Sequence, residues 1–557
     1  MIESTGGPTT TDLLAHGRAW AAQDPDDRTR TELLALIAAT EAGEGPAEVE
    51  LRDAFSGRLE FGTAGLRGRI GPGPNRMNRV VVMQAAAGLA SYLQARGGGA
   101  VVIGYDARHN SSVFAHDSAA VFAGAGLTPL VLPRALPTPV LAYAVRHLGC
   151  AAGVMVTASH NPPQDNGYKV YLGDGSQIVP PADAEISEQI ALAASRPLGD
   201  ISLDDEWTTL GDDVLDDYVR QVAALVPGLA TRHARVVYTP LHGVGGETFE
   251  RVLEQAGFPA PIRVDAQFEP DPDFPTVDFP NPEEPGAIDL ALDTARRVGA
   301  DMVIANDPDA DRCAMAVPGQ GTSWRMLTGD EVGALLAWWM LERGTHTGPF
   351  ARSLVSSSLI DSIAAAAGRE TRQTLTGFKW IARVPGLAYG YEEALGYCVD
   401  PAQVRDKDGI SAALLLIEMV AALTDEGRNV DDALDALATE HGVHATTQVS
   451  ARFSDPGRIA DIMARLRTSP PVAVGGLDVL SIDDLERPTD GLPPTDGMRL
   501  LLAGGARIIV RPSGTEPKIK CYLEVVESVE GGRLGQARAA AAARLADVRD
   551  GVAAWLE

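Results

Sequence analysis

Three short stretches of the chain place reactive residue types at spacings that could do chemistry. Asp307-Pro308-Asp309-Ala310-Asp311-Arg312 follows an apolar strand-like run at 302–305. Carboxylates at alternate positions leaving a strand end can close round one hard cation, and Mg²⁺ prefers oxygen ligands. An EF-hand loop does not fit: its sixth position is Arg312 instead of Gly, its twelfth is Pro318 instead of Glu, and no helix precedes it. An Asp-x-Asp phosphatase loop with Asp307 as nucleophile, and a plain solvated acidic turn, both stay open. Read as a solvent-facing ligand, Asp309 would add little to a core, so Asp309→Ala is expected to spare the fold. Asp271-Pro272-Asp273 has a similar look but no strand before it.

Thr157-Ala158-Ser159-His160-Asn161-Pro162 also follows an apolar run, at 151–156. Open α/β sheets bind ligands at the carboxyl ends of their strands. Ser159 beside His160 could pair a nucleophile with a proton carrier, although no G-x-S-x-G elbow is present and an ordinary Ser/Asn/Pro turn has the same composition. Asn166-Gly167-Tyr168-Lys169 adds a turn and a single lysine. The third stretch, Arg511-Pro512-Ser513-Gly514-Thr515-Glu516-Pro517-Lys518, lies between two strand-like runs. Two cations, two hydroxyls and a glycine that frees backbone N–H groups make an anion nest; a hairpin with incidental charge is the plainer alternative. Phe61-Gly62-Thr63-Ala64-Gly65-Leu66-Arg67-Gly68 is glycine-rich with one arginine flanked by Leu66 and Gly68, and Tyr391 to Tyr397 leads on to Arg405-Asp406-Lys407-Asp408-Gly409. The dipeptide Gly-Lys is absent, and no G-x-G-x-x-G follows a strand, so nucleoside-triphosphate and dinucleotide loops drop out.

The elements that must carry these residues alternate. Strand-like runs at 100–106, 127–132 and 151–156 are separated by helical text at 114–125 and 140–148. The rhythm recurs at 234–238, 247–256, 262–264, 287–298 and 302–305, then at 328–340, 353–355 and 360–367. Such alternation predicts βαβ units and largely parallel sheets. From about 445 onward the pattern changes to strands at 498–502, 508–510 and 521–526 before an Ala/Arg-rich helix, which is α+β. The first 50 or so residues suggest helices with a capping site near Asp26. At 557 residues the chain needs several cores. Its 47 Lys and Arg against 75 Asp and Glu give a formal charge of −28, which disfavours nucleic acid and anionic membrane as partners. The start has no basic or apolar leader and no run approaches the ~20 apolar residues of a membrane span. The four cysteines form no CxxC pair, as expected of reduced thiols in a cytoplasmic protein.

Taken in order, these motifs resemble the α-D-phosphohexomutase superfamily of phosphoglucomutases and phosphomannomutases, over roughly residues 45 to 540. The Asp307–Arg312 variant, Thr376-Gly377-Phe378-Lys379 and Glu392-Glu393-Ala394-Leu395-Gly396-Tyr397 look most like its phosphoglucomutase-2-like branch, which includes phosphopentomutases. The resemblance implies three similar α/β domains with mixed, mostly parallel sheets and a C-terminal α+β domain round a central cleft. The expected division is a helical extension at 1–45, then domains at 46–205, 206–318, 319–440 and 441–557. It implies that Ser159 is the phosphoserine and that Asp307, Asp309 and Asp311 hold Mg²⁺ together with an oxygen on Ser159. His160 and Lys169 would handle protons, Arg67 and Arg312 would steady the moving phosphoryl group, Glu392 would bind sugar hydroxyls and Lys407 would assist with phosphate. Arg511, Ser513, Gly514, Thr515 and Lys518 would grip the phosphate that is not reacting. The implied reaction moves phosphate between C1 and C6 of glucose or mannose phosphates through a bisphosphate, with a sugar bisphosphate as activator. A phosphopentomutase, an Asp-nucleophile phosphatase and a catalytically silent sugar-phosphate binder are the alternatives. Many members carry Ser two residues after the sugar-binding Glu where this chain has Ala394, so the resemblance leaves the sugar open, as it does monomer or dimer.

Overall fold

Ala152–Val156 shows how the first half of the chain is built. Every residue of this strand is buried, because it lies inside its sheet, with Ala100–Tyr105 parallel on one edge and Asp165–Leu172 antiparallel on the other. The computed structural model describes residues 9–62, 65–228, 232–319, 321, 323–344, 347–453, 455, 457–513 and 518–556. They fall into two units: residues 1–326 with 400–418, and residues 327–399 with 419–557, so the chain leaves the first unit, returns to it for a short segment, and leaves again.

The first unit opens with helices Thr10–Gln23, Asp27–Glu41 and Gly45–Ala54. Asp26 caps the second, its side chain accepting from the Arg28 backbone N–H at 2.9 Å. A six-stranded sheet follows. Thr128–Val131, Ala100–Tyr105 and Ala152–Val156 run parallel, with Thr208–Thr209 parallel at one edge. Asp165–Leu172 and Leu66–Arg69 are antiparallel on the other side. Register pairs Met155 with Lys169, which brings that lysine to the carboxyl end of Ala152–Val156. A five-stranded sheet comes next: Val236–Thr239, Ile262–Arg263 and Met302–Asn306 are parallel, and Cys313–Pro318 and Trp324–Met326 are antiparallel. Cys313 pairs with Asn306, so residues 307–312 close a tight connection between two strands.

The second unit holds a four-stranded sheet in the order Thr371–Thr374, Phe350–Ser353, Tyr389–Glu392, Gly396–Cys398, parallel except for the last pair. The strand expected at 353–355 is Phe350–Ser353 instead. Leu354 and Val355 are buried not by strand pairing but in a cluster with Leu375, Leu485 and Ile509. The C-terminal part is a six-stranded antiparallel sheet in which Lys518–Glu527 lies between Val443–Arg452 and Arg507–Pro512. Ile462 of helix Gly457–Thr468 and Val548 of helix Leu534–Leu556 share its core with Leu500 and Ile508. The architecture is thus the expected three α/β sheets plus a C-terminal α+β domain. All four cysteines are buried and none forms a disulfide. Among the described residues, no helix is long and apolar enough to cross a membrane.

Candidate active site and cation cage

In the first unit, residues as much as 171 positions apart meet at strand ends. Ser159 follows Ala152–Val156, and its hydroxyl donates to Asp307 Oδ2 at 2.7 Å. Asp307 follows Met302–Asn306. The Ser159 Oγ also lies 3.3 Å from His160 Nδ1. Both turns are held in the left-handed region, Ser159 at φ +53° and Ala310 at +55°, a conformation that costs energy in non-glycine residues and clusters at functional sites.

Asp307, Asp309 and Asp311 are all fully buried, and one oxygen from each lies within 4.8 Å of the others. The expectation of a solvent-facing triad is therefore wrong. Other elements cover it: the Thr138 hydroxyl donates to Asp309 Oδ2 at 2.6 Å, and Lys169 Nζ donates to Asp309 Oδ2 at 2.7 Å and Asp311 Oδ2 at 2.8 Å. Lys407 Nζ approaches Asp311 Oδ2 at 3.2 Å. Arg312 Nε stands 3.9 Å from both Asp307 and Asp311, and Arg67 donates to Asn161 Oδ1 at 3.1 Å. Removing Asp309 would thus leave a buried cation short of one partner, a loss that costs about 3–5 kcal/mol when a buried pair is broken.

The triad fits a hard cation on its own geometry. Among the described residues, Asp309 Oδ1 and Asp311 Oδ1 are buried and accept no hydrogen bond, although a buried carboxylate oxygen without a partner is costly. Lys169 takes the other oxygen of each, which orients both carboxylates and leaves one oxygen apiece for an all-oxygen shell. The electrostatics agree. Burial, then the negative charges of Asp309 and Asp311, push Asp307 well above the ordinary carboxyl range. Burial and Asp311 also raise Asp309, but Lys169 and Thr138 outweigh them and leave it lowered. Burial, then the positive charges of Arg312 and Arg67, hold His160 well below its usual value, so its imidazole is neutral.

Several residues that shape this site were not singled out from sequence. The Arg108 guanidinium, buried beside Asp106 at 3.4 Å, donates to the carbonyls of Ser159 (2.7 Å), Asn161 (2.5 Å), Pro162 (2.8 Å) and Asp165 (3.2 Å). It clamps the backbone at the serine and along the residues that follow it. Its position just past strand Ala100–Tyr105 is the one available signal, the same strand-end logic that marks Ser159. Asp406 accepts from Tyr171 Oη at 2.7 Å and Gln177 Nε2 at 2.6 Å, and Asp408 from Tyr218 Oη at 2.9 Å, so Lys407 is pinned on both flanks. Gly409 lets this segment press in, since a Cβ there would lie 2.3 Å from the Arg312 carbonyl.

In the second unit Glu392 ends strand Tyr389–Glu392 and is half-buried. Arg511 hydrogen-bonds the Thr376 hydroxyl, and the Ser513 N–H donates to the Lys518 carbonyl at 2.7 Å, closing a hairpin. Gly514 and Thr515 lie outside the described residues.

Comparison with known proteins now adds to this geometry. Four family profiles match in order: Phosphoglucomutase/phosphomannomutase alpha/beta/alpha domain I at 58–196, domain II at 216–321, domain III at 328–441, and the C-terminal domain at 419–541. A Haemophilus influenzae protein named "Probable phosphomannomutase" is 48% identical over 453 residues, covering 80% of this chain and 93% of its own. The Mus musculus phosphopentomutase is 34% identical over 566 residues (91% and 89%). A Staphylococcus haemolyticus phosphoglucomutase is 34% identical over 500 residues (85% and 91%). Among solved structures, a Thermus thermophilus protein described as a phosphomannomutase superposes with a TM-score of 0.67 at 26% identity, covering 88% of this chain and 99% of its own.

Proposed function

The chain belongs to the phosphoglucomutase/phosphomannomutase family and is an intramolecular phosphotransferase, and from that premise we propose a Mg²⁺-dependent phosphosugar mutase that works through a phosphoserine at Ser159. The observation that carries this reading is the Ser159 hydroxyl 2.7 Å from a buried triad with two carboxylate oxygens left over. Asp307, Asp309 and Asp311, with an oxygen on Ser159, would hold the ion; when bound it neutralises charge on the phosphoryl oxygens.

The chain's own residues then account for the rest. Phosphoryl transfer depends mainly on positioning and charge stabilisation. As the bond from phosphorus to Ser159 Oγ breaks, one forms to a sugar hydroxyl, whose proton needs an acceptor. Neutral His160, 3.3 Å from Ser159 Oγ, is placed to take it and to pass a proton to the departing serine oxygen, which regains its hydroxyl. Lys169 is held charged: burial opposes this, but Asp309 and Asp311 outweigh burial. It supplies positive charge and orients carboxylates, and with His160 it is the proposed pair of proton carriers. Arg67, Arg312 and Lys407 surround the moving group with positive charge. The resulting bisphosphate turns round and returns its other phosphate to Ser159, which is why a sugar bisphosphate would activate unphosphorylated enzyme.

Glu392 would hold sugar hydroxyls, and Arg511, Ser513 and Lys518, with Gly514 and Thr515, would hold the idle phosphate; domains at 46–205, 206–318, 319–440 and 441–557 would carry these parts. Glucose and mannose phosphates are the proposed substrates. A pentose phosphate is the second reading, supported by phosphopentomutase-named relatives that align over 91% of the chain and by Ala394, which offers no hydroxyl beside Glu392. Incubation with glucose 1-phosphate, mannose 1-phosphate and ribose 1-phosphate, with Mg²⁺ and a bisphosphate, tests the proposal. Isomerisation of one of them with labelled phosphate on Ser159 is expected; turnover of none would overturn it.

A further inference from the structure

Glu393, next to the proposed sugar ligand, turns one carboxylate oxygen and its backbone N–H into the protein. Its Oε2 accepts from Ser356 Oγ at 2.9 Å and Ser353 Oγ at 3.1 Å, and its own N–H donates back to Ser356 Oγ at 3.1 Å. The two serine hydroxyls lie 2.8 Å apart. This closed ring fixes both the backbone and the carboxylate of Glu393, one peptide away from Glu392. The loop is also pressed against the start of helix Gly329–Arg343: a Cβ on Gly329 would sit 1.8 Å from the Glu393 carbonyl.

The far side of the same serine-rich loop is held by the C-terminal sheet. Arg507 donates to the carbonyls of Leu354 (2.9 Å) and Ser356 (2.7 Å). Glu524 accepts from Ser357 Oγ and the Ser358 N–H, each at 2.7 Å, and pairs with Arg507 at 2.8 Å. Arg507 and Glu524 face each other across the two strands that carry Arg511 and Lys518 toward their other ends. One hairpin therefore presents phosphate-gripping residues at one end and this anchor at the other. A buried charged network is a poor way to gain stability compared with apolar packing, but it sets geometry closely.

We infer that residues 353–358 are a relay through which Arg507 and Glu524 fix Glu393 and so place Glu392 against the sugar hydroxyls. Glu393, Ser356, Arg507 and Glu524 are positioning residues, and the inference rests on reading Glu392 as the sugar ligand.

A double-mutant cycle on the phosphosugar the enzyme turns over best separates the two. Glu392→Ala should raise KM about tenfold or more. Glu393→Ala should raise KM about as much with kcat nearly kept, Arg507→Lys should do so about threefold, and Glu393→Gln, which keeps an acceptor, should restore KM to within about twofold. Because Glu393 acts through Glu392, Glu392→Ala/Glu393→Ala should be no worse than Glu392→Ala alone. If Glu393→Ala does not fold, Ser356→Ala replaces it in the cycle, with about a threefold rise expected. A normal KM in Glu392→Ala overturns the sugar-ligand reading itself. A raised KM there, with Glu393→Ala normal or fully additive, overturns the relay alone.

Discussion

The two units handle their polar groups differently. Around Ser159 the carboxylates and the lysines that pair with them are buried and tied: Asp307, Asp309 and Asp311 are fully enclosed, Lys169 bridges two of them, and Arg108 grips four carbonyls of the serine turn. Around Glu392 and Arg511 the groups proposed to meet the sugar are half-buried, while the fully committed ones (Glu393, Arg507, Glu524) stand one residue or one strand length behind. Bond making tolerates little misplacement, so its groups are fixed directly. A site that must accept either end of a turning sugar is better served by accessible side chains on an anchored frame.

The most severe way to break this contrast is at the enclosed side. Ser159→Ala should abolish turnover and phosphate labelling, and Asp309→Asn should lower kcat by several orders of magnitude. Asp309→Ala, which also removes a partner of buried Lys169, should in addition lower the melting temperature, read by calorimetry beside the asparagine variant. Arg108→Lys keeps a charge opposite Asp106 but cannot reach four carbonyls. It should cut kcat about 10²-fold with little change in KM, since the serine turn is misplaced without losing substrate contacts. On the accessible side, Arg511→Ala should raise KM about tenfold and spare kcat, because that guanidinium would hold phosphate in ground and transition states alike; an unchanged KM would remove it from the phosphate grip.

The smallest effect sharpens the comparison. Burial, then the charges of Glu392 and Asp330, push Glu393 up to about 7. The folded chain thus binds this proton more tightly than the unfolded one. The stability it lends is complete below the ordinary glutamate value near 4.5 and is lost as pH rises toward about 7. Glu393→Gln should flatten that loss, so melting at pH 8 should fall behind melting at pH 5 by about 2–4 °C less than in the parent chain.

Much of this was legible in the residues themselves. Apolar runs before Ser159 and Asp307 marked strand ends, and Asp26 marked a helix start. What could not be read was enclosure. A local string of aspartates says nothing of Thr138, Lys169 and Lys407 arriving from distant positions to cover it, so the triad looked solvent-facing. Arg108 and Glu393 were equally silent, because a side chain that bonds backbone carbonyls or serine hydroxyls leaves no pattern in spacing. The apolar pair Leu354-Val355 read as strand although its burial comes from clustering with Leu375 and Ile509.

The return of residues 400–418 to the first unit has a consequence for biosynthesis. Ribosomes deliver chain from the amino end, and domains ordinarily fold as they emerge. Here the acidic cage is translated long before Lys407, and the whole sheet-bearing stretch from Leu327 to Val399 must pass in between. A nascent first unit therefore waits, with one of its balancing cations unmade, until the polypeptide doubles back. Nor can a single proteolytic cut part the two units cleanly.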